Sequence, residues 1–317
     1  MTGRRLNVLF FGCSKIENAV KEAMKKKKRY RIIGSDLTVD VNKEYPDDVD
    51  IIIVSSHIFY NDYNAMDYLS HRYLIKGTLL RTDMNAYDRV LGRIPIDGIK
   101  NFGWIIRRLS NRDKRHGYGS DKRFCDVVIS FLMLLVLAIP MLLISLLIKI
   151  VDGYDPIFKQ SRVGMLEKPI LIYKFRTMKP DTEETTTLGR ILRRFRIDEF
   201  PQLFNILKGD ISFVGPRPIY SREYKVLNRH VPNHFLRSMV RPGLTGWSQI
   251  NFKAPPTYCV IADLPGDQPD EVVYKDAYTR LSYDLWYVEN ESFSLDAKIF
   301  FNTLKRSFIK DEHLEED

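Results

Sequence analysis

Cysteine is scarce in this 317-residue chain, and its three copies lie far apart. Cys13, Cys125 and Cys259 lack the spacing that metal ligands use, so neither a zinc centre nor a disulfide framework is expected. We interpret the thiols as reduced, which suits the cytoplasm. Residues 1–5 lead directly into a strand-like run without the pattern of a secretory signal peptide, which favours the same compartment.

The first 115 residues also lack the glycines of a dinucleotide-binding loop. Gly12 ends the strand-like run 6–12, and Asp36 lies at the tip of the next one, 30–36, where a ribose-binding acid would belong. However, the loop after Gly12 reads CSKIE and has neither the second nor the third glycine of the fingerprint. We therefore favour a structural or regulatory domain, and cofactor binding remains the alternative.

Strand-like and helical segments alternate through this first domain. Further strands are predicted at 49–56 and within 73–80, and helices at 15–28 and 58–70. Such alternation is typical of a doubly wound, mainly parallel sheet. We predict a Rossmann-like α/β domain over residues 1–115.

No charged residue occurs in residues 127–148, which follow a basic linker. A run of this length can cross a hydrocarbon core of ~30 Å, so we predict membrane insertion. Pro140 lies in the middle of the run and is expected to break or kink the helix. Lys122 and Arg123 precede the run and Lys149 follows it, so the positive-inside rule does not indicate which end lies outside.

A simple span would place the two halves of the chain on opposite sides of the membrane. If the second half uses nucleotide-activated substrates, both halves must be cytosolic. We therefore predict a re-entrant helix within residues 116–150, bent at Pro140 and entering and leaving by the same leaflet. Proline deprives one backbone carbonyl of its helical donor, and Ser130 and Ser145 are candidate partners for it.

A net charge of +9 predicts an anionic partner, such as a nucleotide, a phospholipid or a nucleic acid. The basic residues cluster around carboxylates and next to the apolar run, so we expect no nucleic-acid partner. Helices are predicted at 278–288 and 295–308. The second is amphipathic and basic, which suits either the headgroup plane or the protein core. The acidic tail, 311–317, is expected to be disordered.

Residues 192–203 combine three arginines with two adjacent carboxylates. Pro201 is expected to open a short apolar helix over 200–207, which would place Asp198 and Glu199 at its N-terminus, where negative charge is stabilised. Arginines alongside could clamp phosphate oxygens, and Arg193 is the first candidate. The structural alternative is an acidic turn on a basic surface helix.

Other cations recur beside turn-forming residues. Lys174 and Arg176 are two residues apart in the strand-like run 171–178 and so share one face of it. Arg217 stands between two prolines that fix φ on either side. Arg241 opens a second stretch rich in proline and glycine, where a backbone can approach a ligand closely. We interpret these four as candidate phosphate ligands, with a rigid surface turn as the alternative for Arg217.

Six motifs follow one another in the second half of the chain: YKFRTM at 173–178, DEFPQ at 198–202, LKGD at 207–210, VGPRP at 214–218, RPGLTGW at 241–247 and YDLWYV at 283–288. With these motifs in this order, residues 126–288 resemble the bacterial sugar transferases of the monotopic polyprenyl-phosphate phosphoglycosyl transferase family. The resemblance implies a mainly helical α+β catalytic domain, here 151–310, and the first step of capsule, O-antigen or exopolysaccharide synthesis.

The resemblance also implies roles for site residues. Asp198 would be the nucleophile that attacks the sugar-bearing phosphate of a UDP-sugar, releasing UMP and leaving a covalent aspartyl-phosphosugar. Glu199, together with Asp198, would hold Mg²⁺, and Arg217 and Arg193 would contact phosphate.

The implied acceptor is polyprenyl (undecaprenyl) phosphate at the cytoplasmic face of the bacterial inner membrane. The sugar is not identified, and a homodimer is left open. Two alternatives remain: a glycosyltransferase that releases UDP, and a membrane-tethered nucleotide-binding regulator.

Overall fold

The computed structural model describes residues 4–74, 76–96, 100, 102–110, 118–180, 182, 184–252 and 271–308. The chain divides into two compact units, Met1–Trp104 and Ile105–Asp317. The predicted acidic tail, 311–317, and part of the predicted basic linker, 111–117, lie outside the described residues.

The first unit contains a four-stranded sheet whose paired strands all run parallel, in the order β2-β1-β3-β4. The predicted parallel sheet is therefore confirmed. The strands are β1, Leu6–Phe11; β2, Tyr30–Asp36; β3, Ile51–Val54; and β4, Leu79–Thr82.

Both faces of this sheet are buried, which explains the uninterrupted apolar runs of β1 and β3. Leu9 and Ile52 face one core, shared with the helices after β3, whereas Val8 and Ile53 face the other. The helical segments of the unit are α1, Lys15–Lys25; α2, Ser56–Asn61; α3, Tyr63–Leu69; a π-helical segment, Ser70–Leu74; and α4, Asp83–Leu91.

The fourth strand begins later than the sequence predicted. The π-helical segment Ser70–Leu74 extends the preceding helices into the predicted strand region, and β4 starts only at Leu79. Tyr73 explains the difference, because it is buried on the helical segment and donates a hydrogen bond from its hydroxyl to the Pro46 carbonyl, 2.9 Å away. An apolar run cannot reveal this choice by periodicity alone.

Helix α5, Phe102–Ser110, contains the point at which the two units divide. It is followed by the long helix α6, Tyr118–Leu147, and by a π-helical segment, Ile148–Asp152. Residues 119–152 are long and apolar enough, by length and composition, to cross a membrane.

Helix α6 continues through Pro140, so the predicted break is wrong, whereas the alternative of a kink at this proline stays a prediction. Proline removes one backbone hydrogen bond and crowds the carbonyl four residues earlier, but a helix can persist around it. The candidate serines do not compensate: Ser130 donates to the Val127 carbonyl and Ser145 to the Met141 carbonyl. The re-entrant topology itself stays a prediction.

A narrow stripe of α6 and of the π-helical segment after it contains buried residues. Asp126, Ser130, Met141 and Ile148 are each less than a tenth exposed, and they recur at helical spacing. The C-terminal half packs against residues of the second unit, among them Phe175. The opposite side is apolar and exposed, at positions Phe131, Leu132, Leu135, Val136, Ile139, Leu142, Leu143 and Leu146.

Polar side chains fasten the beginning of α6 to the same unit. Lys122 Nζ donates to the Val214 carbonyl at 2.8 Å, and the two Nη groups of Arg123 donate to the carbonyls of residues 206 and 207. Asp126 accepts one hydrogen bond from the Ser212 hydroxyl and one from the Phe213 backbone N–H. The two basic residues that precede the apolar run, Lys122 and Arg123, thus bind backbone carbonyls of the second unit.

The rest of the second unit is mainly helical with two small sheets. Strands β5, Ile157–Val163, and β6, Pro169–Phe175, form an antiparallel hairpin, and β7, Ser212–Val214, pairs in parallel with β8, Gly243–Thr245. The helices are α7, Thr187–Arg194; α8, Gln202–Lys208; α9, Ser221–His230; α10, Trp247–Asn251; α11, Glu271–Asn290; and α12, Phe293–Phe308, with 3₁₀ turns at Ile197–Glu199 and His234–Met239.

Candidate active site

The two adjacent carboxylates lie in a 3₁₀ turn between α7 and α8. Helix α7 ends at Arg194, and Arg196 adopts a left-handed conformation with φ +54° before the turn Ile197–Glu199 begins. A non-glycine residue in this region costs of order 1 kcal/mol, so the surrounding packing must impose it. Helix α8 starts at Gln202, two residues later than predicted, and Asp198 and Glu199 lie in the 3₁₀ turn that precedes its N-terminus.

Asp198 is buried, and the burial raises the pKa of its carboxyl group. The neighbouring charge of Glu199 raises this pKa further, whereas Lys174 and Arg193 act in the opposite direction. A carboxylate that is poorly solvated and flanked by cations is a competent nucleophile toward an anionic phosphate.

Glu199 has the opposite character. Burial is the largest single influence and would raise the pKa of its carboxyl group, but Lys174, Arg217 and Arg196 outweigh it and hold the pKa below its usual value. Lys174 Nζ lies 3.1 Å from Glu199 Oε1. The pair thus contains one carboxylate that resists ionisation and one that favours it, which is typical of two groups with different roles.

Three of the predicted cations act on this pair. Lys174 forms the ion pair with Glu199. The charge of Arg217 lowers the pKa of Glu199, and that of Arg193 lowers the pKa of Asp198. Arg193 is oriented by the hydrogen bond from its Nε to Thr177 Oγ1, 2.9 Å away. Arg196 joins this set although the sequence did not single it out. Its left-handed φ, which turns the chain toward the carboxylates, is not visible in a sequence.

The structure places Arg176 and Arg241 in other contacts. Arg176 Nε donates to the Asp155 carbonyl at 2.8 Å, and Arg241 Nε donates to the Gly209 carbonyl at 3.2 Å. Both guanidinium groups are thus held by backbone oxygens, and their predicted contacts with phosphate remain predictions.

Asn205 is a site residue that sequence reasoning missed. It is completely buried on α8 and pairs with the edge of β6: its Oδ1 accepts from the Tyr173 N–H at 2.9 Å, and its Nδ2 donates to the Leu171 carbonyl at 2.6 Å. This side chain fixes the strand that carries Lys174 against the helix that follows Glu199. The available signal was a lone amide on the apolar face of a short helix.

The two carboxylates of the turn suit Mg²⁺ only if a substrate supplies further oxygen ligands. Among the residues that the structure describes, no group of three or more His, Cys, Asp or Glu side chains could hold a metal. Asp198 and Glu199 are adjacent oxygen donors, and Mg²⁺ commonly binds one or two carboxylates together with substrate phosphates and water. The residues present therefore fit a magnesium ion that arrives with a diphosphate.

The first unit has a second acidic cluster, at the carboxyl ends of its central strands. This is the topological switch point, where an open sheet usually binds its ligand. Here the space is filled. Gly12 has φ +132°, and a Cβ on it would lie 2.5 Å from both Glu17 Oε2 and Ser55 Cβ. Asp83 is buried beside them and accepts hydrogen bonds from the hydroxyls of Ser14 and Ser56. A pyrophosphate would meet two carboxylates, which disfavours the dinucleotide alternative.

Several known proteins similar to this chain are named as sugar phosphotransferases that act on undecaprenyl phosphate. A protein of Aeromonas hydrophila named UDP-N-acetylgalactosamine-undecaprenyl-phosphate N-acetylgalactosaminephosphotransferase is 32% identical over 200 residues, which cover 59% of this chain and 44% of that protein. The UDP-glucose:undecaprenyl-phosphate glucose-1-phosphate transferase of Escherichia coli (strain K12) is 33% identical over 203 residues, 59% of this chain and 40% of the relative. The chain thus spans less than half the length of these two relatives.

A shorter relative is covered almost completely. The exopolysaccharide production protein PSS of Rhizobium leguminosarum bv. phaseoli is 37% identical over 199 residues, which make up 58% of this chain and 92% of that protein. Residues 118–310, more than half of the chain, match the family described as bacterial sugar transferase. This segment contains α6, the carboxylate turn and all the cations around it, and the chain therefore belongs to the bacterial sugar transferase family, a family of enzymes.

Proposed function

We propose that this protein transfers a sugar-1-phosphate from a UDP-sugar to polyprenyl phosphate and releases UMP. The observation that carries the proposal is the Asp198–Glu199 turn with Lys174, Arg193 and Arg217 acting on it, in the unit that also carries the apolar helix α6. The cations suit an anionic donor and an anionic acceptor, and the apolar helix suits an acceptor that is carried on a lipid. Family membership and the undecaprenyl phosphate in two relatives' names support the same reaction.

Asp198 is the proposed nucleophile. Its carboxylate oxygen attacks the sugar-bearing phosphorus, the bond from that phosphorus to the bridging oxygen breaks, and UMP leaves with the bridging oxygen. A phosphate oxygen of polyprenyl phosphate then attacks the same phosphorus, and the aspartyl oxygen leaves as a carboxylate. Each step exchanges one P–O bond for another, so its barrier is lowered mainly by positioning and by neutralising charge.

The cations supply that neutralisation. Arg217 and Arg193 are proposed to contact phosphate oxygens, and Lys174 holds Glu199 ionised. Asp198 and Glu199 would hold Mg²⁺ together with the donor's phosphates. Such an ion neutralises the diphosphate and so lets a carboxylate approach it.

The contacts of α6 support a position in one leaflet. Contacts with the rest of the second unit occur at Asp126 and from Leu134 to Ile148, which lies in the segment that follows α6; from Asp126 to Ile148 the distance is about 33 Å at 1.5 Å per residue. A helix that crossed the membrane would leave a water-side unit after its first turns. We therefore propose that α6 lies in the cytoplasmic leaflet of the bacterial inner membrane with its exposed apolar side toward lipid. The acceptor's phosphate would then reach the site from the headgroup region.

A product assay tests the reaction. The purified protein is incubated with Mg²⁺, undecaprenyl phosphate and a panel of UDP-sugars that includes glucose, galactose and N-acetylated amino sugars, because the relatives' names differ in their sugar. We expect one or more of these donors to release UMP in step with formation of the lipid product. Release of UDP would instead indicate a glycosyltransferase. Absence of turnover with nucleotide bound to the first unit would indicate a regulator.

A further inference from the structure

Two buried arginines hold the backbone of the loop that carries Arg217. Arg237 Nη2 donates to the carbonyl of Arg217 itself, and Arg162 Nη1 donates to the carbonyl of Pro218, each at 3.0 Å. Prolines on both sides of Arg217 fix φ, so little freedom remains in this loop except rotation of its peptide groups. The two hydrogen bonds remove that freedom, because each fixes the direction of one carbonyl.

Arg237 is in turn fixed by Asp284. Its Nε and Nη2 lie 3.0 and 2.6 Å from the same carboxylate oxygen, Asp284 Oδ2, and the two side chains are 5% and 1% exposed. An ion pair this deeply buried contributes little net stability compared with an apolar pair, so its presence requires another reason. Asp284 belongs to the YDLWYV motif on α11, to which the proposed reaction assigns no role.

Arg162 is fixed independently on the other side of the loop. Its Nε and Nη2 donate to Gln160 Oε1 at 3.1 and 2.6 Å, and its guanidinium lies 3.3 Å from the centre of the Tyr220 ring. Stacking of this kind leaves the remaining nitrogen aimed in one direction, toward the Pro218 carbonyl. Both arginines are therefore oriented before any ligand arrives.

The charge of the Arg217 side chain acts on two carboxylates. These are Glu199 in the carboxylate turn and Glu223, a buried residue of α9. Burial raises the pKa of Glu223, against the charges of Arg280, Arg237, Arg162 and Arg217. Two acidic groups attract this guanidinium, and the hydrogen bonds to the carbonyls of residues 217 and 218 fix the backbone that carries it.

We propose that Arg237 and Asp284 are positioning residues that aim Arg217 at the donor's diphosphate, with Arg162 holding the next carbonyl. The inference rests on the proposed function only in taking a UDP-sugar as the ligand of Arg217. The C-terminal motif thereby acquires a role in donor binding. Asp284 acts on the donor through Arg237 and the carbonyl of residue 217, without touching the substrate.

A double-mutant cycle tests the proposal, with both donor affinity and turnover as readouts. We expect Asp284→Asn to weaken UDP-sugar binding and to lower kcat/KM roughly 10- to 100-fold, mostly through KM, as loss of an orienting partner does. In an Arg217→Ala background the same change should cause no further loss. Arg237→Lys is the second variant, for use if Asp284→Asn does not fold. It keeps the charge beside Asp284 but loses the planar guanidinium, and it should weaken donor binding as Asp284→Asn does.

Ser282→Ala is the matched control, because it removes a buried hydrogen bond from the same helix, 2.7 Å long, without touching Arg237. It should leave donor affinity unchanged. Equal losses from Asp284→Asn with and without Arg217, or a loss confined to the melting temperature, would overturn the proposal. If the wild-type protein binds UDP-sugar and releases no UMP, the proposed function fails, while the affinity cycle still decides whether these residues position Arg217.

Discussion

Each unit of the molecule buries a pair of acidic side chains close to a turn, and the two pairs have different neighbours. In the first unit, Asp83 accepts hydrogen bonds from two serine hydroxyls, and Glu17 is completely buried with Lys21 Nζ 2.6 Å away. In the second unit, Asp198 and Glu199 are surrounded by cations from three separate segments of chain.

The difference between the two pairs separates burial from function. Burial raises the pKa of Glu17 as it raises that of Asp198, so a perturbed carboxyl group alone does not identify a reactive site. In the first pair, serine hydroxyls and backbone N–H groups satisfy Asp83, and Lys21 pairs with Glu17. The second pair has an excess of positive charge that remains for anionic ligands. Surplus positive charge, rather than a buried acid, is therefore the feature that supports our placing the proposed reaction in the second unit.

The largest expected difference is between Asp198→Asn and Asp83→Asn. Asp198→Asn removes the proposed nucleophile, and we expect UMP release to fall by roughly 10³-fold or more. Asp83→Asn should leave UMP release within about twofold and lower the stability of the first unit by about 1–3 kcal/mol, since it disturbs buried hydrogen bonds. Turnover assays and thermal unfolding measure the two effects. Comparable loss of activity in both variants would remove the distinction between the clusters.

The neighbouring glutamates extend the contrast. Glu199→Gln should reduce turnover by roughly 10²-fold, because it removes one of the two carboxylates that would bind Mg²⁺ with the donor. Raising the Mg²⁺ concentration should restore little of this turnover, because the variant also lacks the ion pair with Lys174. Glu17→Gln, which neutralises the equivalent buried acid of the first unit, should leave turnover unchanged. Steady-state rates over a range of Mg²⁺ concentrations measure both.

Lys174→Met tests the electrostatics of the turn by pH. The charge of Lys174 lowers the pKa of Asp198, against the effect of burial, so its removal should raise that pKa further. Because the nucleophile must be ionised, the acid limb of the profile of kcat/KM against pH should move to higher pH. Lys179→Met removes a surface ion pair with Glu184, 2.8 Å long, and is the control. An unmoved acid limb in Lys174→Met would show that this lysine does not tune the nucleophile.

The smallest effect concerns the stability of the first unit. A carboxyl group whose pKa is raised on folding stabilises the fold fully at low pH, and this contribution is lost as the pH rises through the folded pKa. Burial raises the pKa of Glu17, so Glu17→Gln should gain melting temperature relative to the wild type as the pH rises above the usual range of a glutamate. Thermal unfolding across this range measures it. If the melting temperature of the wild type instead rises relative to that of the variant with increasing pH, the charge of Lys21 outweighs burial in setting the pKa of Glu17.

The sequence predicted the features that depend on local chemistry. The apolar runs of β1 and β3 indicated buried strands of a parallel sheet, and the prolines on both sides of Arg217 indicated a rigidly held cation. What it could not supply depends on contacts between distant segments. Arg176 and Arg241 are as basic as Lys174, but neighbouring backbone carbonyls hold them. Asn205 acquires its role only because α8 packs against the edge of β6.

Pro140 illustrates a different limit. Its local preference is to interrupt a helix, and the sequence therefore predicted a break. The helix nevertheless continues through it, and residues on both sides of the proline, Leu137 and Met141, pack against the second unit. Packing along the whole helix compensates for one lost hydrogen bond, and no pattern within residues 127–148 could have revealed that partner.

The covalent step is the central claim, and mass spectrometry tests it most directly. The wild-type protein is incubated with Mg²⁺ and a UDP-sugar that it accepts, without lipid acceptor, and then digested. We expect a burst of about one UMP per active site and one peptide, containing Asp198, that is heavier by a phosphosugar; Asp198→Asn should show neither. Full turnover on addition of undecaprenyl phosphate, with no burst and no adduct beforehand, would contradict the covalent mechanism.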